Sequence, residues 1–199
     1  MDMATAIRFA ERIFLIFLSV SVILRLWPQM GTHPQVILFL FSELVGVAFI
    51  LFQRRGQTST DFYPVAVAFL GTCVSLLIVP QGTQLVSDAV STTLVIAGAA
   101  IALGAKLSLR RSFGIVPANR GVKRGGLYRF VRHPMYSGYI VNQIGFLLLY
   151  FSMWNVAIYA VAWLAFLARA KEEEKFLLQD PEYQDYSAQV RARLVPGLV

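Results

Sequence analysis

Thirteen consecutive residues concentrate much of the chemistry open to this chain: Gly126-Leu127-Tyr128-Arg129-Phe130-Val131-Arg132-His133-Pro134-Met135-Tyr136-Ser137-Gly138. They set one of only two histidines among cations, with an aromatic ring on each side. Arg129, Arg132 and His133 could bind a carboxylate or phosphate, while Tyr128 and Tyr136 could flank an aromatic base or a cation. Gly114, Pro117, Gly121, Gly125, Gly126 and Pro134 interrupt regular structure, so backbone N–H groups stay free to meet a ligand. Pro134 fits the first turn of a helix, which puts His133 at a helix N-terminus where free amides and the dipole favour an anion. A positive juxtamembrane anchor with interfacial aromatics accounts for the same composition.

Between Asp88 and Glu172 there is no Asp or Glu, while ten Lys and Arg residues accumulate. The acids then return together as Glu172, Glu173 and Glu174. Arg169 and Glu173 are four residues apart and share one helical face. An exposed ion pair there would contribute only about 0.3–0.5 kcal/mol, a weak reason for three consecutive acids. Carboxylates at this place could hold the ammonium, sulfonium or ribose hydroxyls of a nucleoside cofactor. The tail that follows, from Asp180 to Tyr186 and on to Arg191 and Arg193, reads as amphipathic and suited to a membrane surface.

The elements that must position these groups are hydrophobic helices. The 199-residue chain is 57% hydrophobic and 15% charged, with a mean hydropathy of +0.61, so the bilayer is its expected solvent. Six apolar blocks stand out, near 9–27, 35–52, 62–80, 89–107, 136–151 and 153–169, most of them close to the about 17–25 residues of a spanning helix. The last two are short and read as a tight hairpin. The expected fold is all-α and integral to a membrane, with about six hydrophobic helices in 1–105 and 106–199, and a cofactor-binding region towards the C-terminus. Residues 1–105 would supply transmembrane helices, and 106–199 the catalytic region of one membrane domain.

Lys and Arg are one-sided. Arg8 and Arg12 precede the first block, Arg54 and Arg55 follow the second, and 106–132 holds eight cations, whereas the alternate connections hold none. Both termini and the cofactor region are therefore expected on the cytoplasmic side, in a membrane of the bacterial inner-membrane kind. The first block reads as a retained span rather than a signal peptide. Arg25 reads as a snorkelling side chain, and Glu43 as an acid that could face a cavity or pair with Arg25.

Other classes are disfavoured. A lone cysteine, Cys73, cannot form an intramolecular disulfide, and no Cys/His cluster has metal spacing, so no metal is expected. His33 reads as a loop residue. The net charge of +7 points to anionic membrane lipids rather than nucleic acid, because the cations are juxtamembrane and no soluble basic domain exists. No G-x-G-x-x-G follows a strand. Gly98, Ala102 and Ala105 would let a neighbouring helix, or a second copy, approach the fourth block closely.

The string Gly126-x-Tyr128-x-x-x-Arg132-His133-Pro134-x-Tyr136-x-Gly138, followed by Arg169-x-x-x-Glu173-Glu174, Tyr183-x-x-Tyr186 and Pro196, resembles the isoprenylcysteine carboxyl methyltransferase family and the related phospholipid N-methyltransferases. The likeness spans roughly residues 106–199. It implies an enzyme that encloses S-adenosylmethionine between the cytoplasmic ends of its last helices and the C-terminal segment, with a lipophilic or prenylated acceptor entering from the bilayer. Carried over by motif, Gly126, Tyr128, Arg132, His133, Pro134 and Tyr136 would contact the cofactor. Glu173 or Glu174 would help to hold it, and Arg169 would lie near the acceptor. The chain lacks the Phe-Gly common in the family between the acidic cluster and Tyr183, which leaves open which glutamate is the functional one.

The resemblance makes methyl transfer to a prenylated carboxylate the leading expectation, with Arg169 orienting the acceptor. An amine or thiol acceptor would instead need Glu173 or Glu174 as base. Two rivals remain: an NAD(P)H-dependent membrane reductase of lipid enones, similar to the steroid reductase family, and a non-enzymatic membrane scaffold.

Overall fold

The apolar blocks fold as helices α1 (Met3–Leu26), α2 (Gln35–Leu51), α3 (Phe62–Cys73), α4 (Asp88–Leu109), α5 (Pro134–Leu149) and α6 (Met153–Leu177), and the polar tail adds α7 (Pro181–Gln189). The structure, a computed structural model, describes residues 3–27, 35–54 and 56–197, and no side chain of residues 25, 26, 35–40, 42 or 43. His33, Arg55 and the side chains of Arg25 and Glu43 thus lie outside the described residues. Two short strands, β1 (Gln57–Thr58) and β2 (Ala118–Asn119), pair antiparallel with Gln57 opposite Asn119, tying the loop after α2 to the basic segment between α4 and α5.

Among the described residues, the helical stretches Asp88–Ser112 and Met153–Leu177 are long and apolar enough to cross a membrane, with mean hydropathies of 1.7 and 1.4. Phe62–Leu77 is a shorter apolar helix. Large apolar side chains such as Phe17, Leu24 and Leu164 are exposed on the outside, as an apolar solvent would favour.

Sequence determines the helix ends that matter for the site. Pro134 occupies the first turn of α5, where its missing N–H removes no helix bond. Ser152 caps α6 by accepting a hydrogen bond from the Asn155 amide. No proline or glycine follows before Leu177, so α6 runs beyond the apolar block 153–169 and carries Arg169, Glu173 and Glu174 on one rod. Three residues join α5 to α6, yet α5 packs far more extensively along α4.

Small residues allow that packing. A Cβ placed on Gly138 would lie 2.5 Å from the Ala102 amide nitrogen and 2.7 Å from the Gly98 carbonyl oxygen. One on Gly98 would collide with the Asn142 and Gly138 backbone. The stripe in the fourth block therefore receives α5 of its own chain. Gly138→Ala should force two backbones apart and cost about 1–3 kcal/mol, read as a lower melting temperature in detergent. An unchanged melting temperature would mean that α4 and α5 can separate freely.

Candidate functional site

Where α4 ends and α5 begins, a cleft opens to solvent. Arg120, Lys123, Arg132 and Glu173 give it charge, His133 adds an imidazole, and Tyr128, Met135, Tyr136, Tyr183 and Tyr186 give it apolar and aromatic walls. Five segments of the chain meet here. The end of α4, the 112–123 loop, the 126–136 turn, the end of α6 and the buried side of α7 all contribute.

Behind this cleft lies Glu174, 3% exposed and surrounded by cations. Its Oε1 is 3.0 Å from His133 Nε2 and 3.3 Å from Arg132 Nε, while its Oε2 accepts from Arg193 Nε at 3.0 Å. A buried carboxylate is tolerable only with such partners. The neighbouring Glu173 is different: its side chain is 36% exposed, lines the cleft, and accepts a hydrogen bond from the Tyr136 hydroxyl at 3.2 Å. One turn of helix thus gives one acid to the interior and one to the cavity.

Tyr136 is the centre of a stack. Its ring lies parallel to those of His133 and Phe166, each at 5.5 Å, and the Arg169 guanidinium sits 5.4 Å from its centroid. Arg169 is 6% exposed and donates to the Ile115 carbonyl at 2.8 Å and to Thr72 Oγ1 at 3.4 Å, while its Nε is buried without a hydrogen-bond partner. It does not pair with Glu173 and lies across Tyr136 from the cleft.

The chain end closes over the motif. The amides of Arg132 and His133 donate to the carbonyls of Ala192 and Arg193, each at 2.9 Å, and the Ser137 hydroxyl donates to the Leu194 carbonyl. In α7, the Tyr186 hydroxyl donates to the Tyr128 carbonyl at 2.7 Å. The tail expected on a membrane surface instead turns Tyr183 and Tyr186 inward, because the periodicity that suits a bilayer also suits a protein wall. Burial raises the hydroxyls of Tyr128 and Tyr183 well above the ordinary tyrosine value and pushes Tyr186 up to about 12. All three stay neutral donors at physiological pH. The Tyr183 hydroxyl is buried with no hydrogen-bond partner, a donor in the cleft wall left unsatisfied.

The opposite wall is held from the N-terminus. Glu11, fully buried in α1, accepts from the amides of Ile115 and Val116 and lies 3.7 Å from Arg120 Nη2. Gln53 donates to the Phe113 carbonyl at 2.8 Å. Burial lowers the Arg120 guanidinium from its ordinary value, Arg8 and Arg12 act in the same direction, and Glu11 and Glu173 oppose them.

Of the residues singled out from sequence, Tyr128, Arg132, His133, Tyr136 and Glu173 line the cleft, and Glu174 lies directly behind it. Pro134 is buried at the start of α5. Gly126, at φ +62°, has its open face against Ser108, so it shapes the turn rather than the cavity. Sequence reasoning missed Glu11, Arg120, Gln53 and Arg193. The one local signal was an acid between Arg8 and Arg12 at the start of an apolar block.

Two helices long and apolar enough to cross a membrane thus accompany a charged cleft where α4 ends and α5 begins. Residues 90–179, from α4 through α6, match the model of the isoprenylcysteine carboxyl methyltransferase (ICMT) family. That stretch, which holds His133, Arg169 and both glutamates, is similar to a family whose members are methyltransferases. No curated protein matches the chain.

Proposed function

We propose that the chain is an S-adenosylmethionine-dependent methyltransferase acting on a lipophilic, prenylated carboxylate. The observation that carries this reading is one cleft that combines cations, an available carboxylate and stacked aromatics. Arg120, Lys123 and Arg132 suit the carboxylate of S-adenosylmethionine, Glu173 its ammonium or sulfonium, and Tyr128, Met135 and Tyr186 its planar base. The unsatisfied Tyr183 hydroxyl fits a polar ligand of this kind. Bound there, S-adenosylmethionine supplies a methyl carbon on a sulfonium leaving group.

The chain's own tasks are alignment and exclusion of water. Residues 190–194 and α7 cover the motif. Arg169, with Nε to spare beside the Tyr136 ring, would orient an acceptor carboxylate. Such an acceptor has no proton to lose, so no base is required. An amine or thiol would need one, and Glu173 is the carboxylate placed to take it. Glu173 in the cleft also disfavours the pyrophosphate of a nicotinamide cofactor, which argues against the reductase reading.

The direct test incubates the purified protein with methyl-labelled S-adenosylmethionine and, separately, a farnesylated cysteine acid, an aminolipid and a prenyl thiol. Base-labile label on the acid is expected. Label on the amine or thiol alone would overturn the carboxylate assignment, and absence of label from all three would overturn the class.

Tyr183→Phe should separate binding from folding. Removing an already unsatisfied hydroxyl should leave the melting temperature of the ligand-free protein within about a degree of the original. S-Adenosylmethionine should bind about fivefold to tenfold more weakly, because a donor to the ligand is lost. Unchanged affinity would remove Tyr183 from the site.

A further inference from the structure

A second concentration of positive charge lies at the same end of the bundle, outside the cleft. Arg8, Arg12 and Arg54 converge with Thr5, Phe9 and Gln53 on an open cavity of about 380 Å³ between the start of α1 and the end of α2. These arginines have no acidic neighbour in its wall. The nearby acid, Glu11, is committed to the amides of Ile115 and Val116 and to Arg120. Two polar atoms of the wall residues are also buried without hydrogen-bond partners: Arg12 Nε, a donor, and Gln53 Oε1, an acceptor. Phe9 is exposed beside them.

From this arrangement we infer a binding site for a phosphate-bearing anion. Three guanidinium groups supply forked donors for phosphate oxygens, and like charges gathered on one cavity need an anion to offset their repulsion. An acceptor from Gln53 suits a hydroxyl next to the phosphate. Phe9 offers apolar contact to whatever chain the phosphate carries. A glycerophospholipid headgroup meets all three requirements, and a free phosphate meets the first. The site adjoins the cleft through Gln53, whose amide donates to the Phe113 carbonyl, and through the charges of Arg8 and Arg12, which act on Arg120, and its existence does not depend on methyl transfer.

The test uses full-length protein in a neutral, uncharged detergent. Short-chain phosphatidylglycerol, short-chain phosphatidylcholine and inorganic phosphate are titrated separately, with binding read by native mass spectrometry and calorimetry. Arg8→Gln/Arg12→Gln is compared with the charge-matched control Lys171→Gln/Lys175→Gln, both on exposed positions of α6. Phosphatidylglycerol should bind saturably, and the arginine double variant should weaken it about thirtyfold, as expected for two cations near a headgroup. The control should stay within about twofold. Arg8→Lys/Arg12→Lys, which keeps the charge and guards against misfolding, should recover part of the affinity.

Phosphate binding that Arg8→Gln/Arg12→Gln abolishes, without lipid binding, would keep the site and identify its ligand as the free anion. Equal loss in the control would show a diffuse field rather than a site. Wild-type affinity in the arginine variant, or binding of neither anion, would overturn the inference.

Discussion

Arg169→Ala is expected to reduce methyl transfer by about two to three orders of magnitude while S-adenosylmethionine binds within about threefold of the wild type. The split follows from position. Arg169 does not line the cleft; it lies behind the Tyr136 ring with its Nε unpartnered and its Nη atoms on Ile115 and Thr72. If that free edge grips the acceptor, its loss removes alignment and leaves the cofactor's own contacts in place. Arg169→Lys should recover only part of the rate, because an ammonium keeps the charge but not the fork. Calorimetry and single-turnover labelling on the same preparations check both halves. Loss of cofactor binding together with turnover would instead make Arg169 a support for the Ile115 loop.

Glu174→Gln should produce the largest loss of stability. His133 is buried, Arg132 is partly buried and Arg193 is half-exposed, and all three converge on this one carboxylate. Neutralising it leaves the Arg132 guanidinium, partly buried, without its anion, and breaking such a pair typically costs about 3–5 kcal/mol. For a chain of this size that corresponds to a fall in melting temperature of order ten degrees. The contacts that Arg193 makes from the C-terminal segment should loosen as well, so protease cleavage near residues 190–194 should accelerate. Glu173→Gln changes a carboxylate that already faces the cleft, and its melting temperature should move little. Equal destabilisation by both substitutions would contradict the division of labour between the two acids.

The parts of this site that were legible in the sequence are those written locally. The 126–138 motif is one contiguous segment, and Arg169, Glu173 and Glu174 lie on one helix, so the sequence alone kept each group beside its neighbours in the chain. The assignment of interior to Glu174 and cavity to Glu173 needed the helix's rotation against α5, which no spacing within α6 encodes. Glu11 is more distant still: it meets the Ile115 and Val116 amides across 104 and 105 residues. Arg193 reaches Glu174 only because the chain folds back after α7. Gly98 and Ala102 announced a close helix approach, but small residues do not name their partner, and α5 proved to be it. Tyr183 and Tyr186 were readable as one apolar face, with its destination undetermined between lipid and protein.

The measurement that bears most directly on methyl transfer is calorimetric titration of the purified protein with S-adenosylmethionine, with NADPH as competitor, alongside His133→Ala. Saturable binding of the methyl donor, undisturbed by NADPH and weakened about tenfold by His133→Ala, is the expected result. Saturable binding of NADPH without binding of S-adenosylmethionine would contradict it.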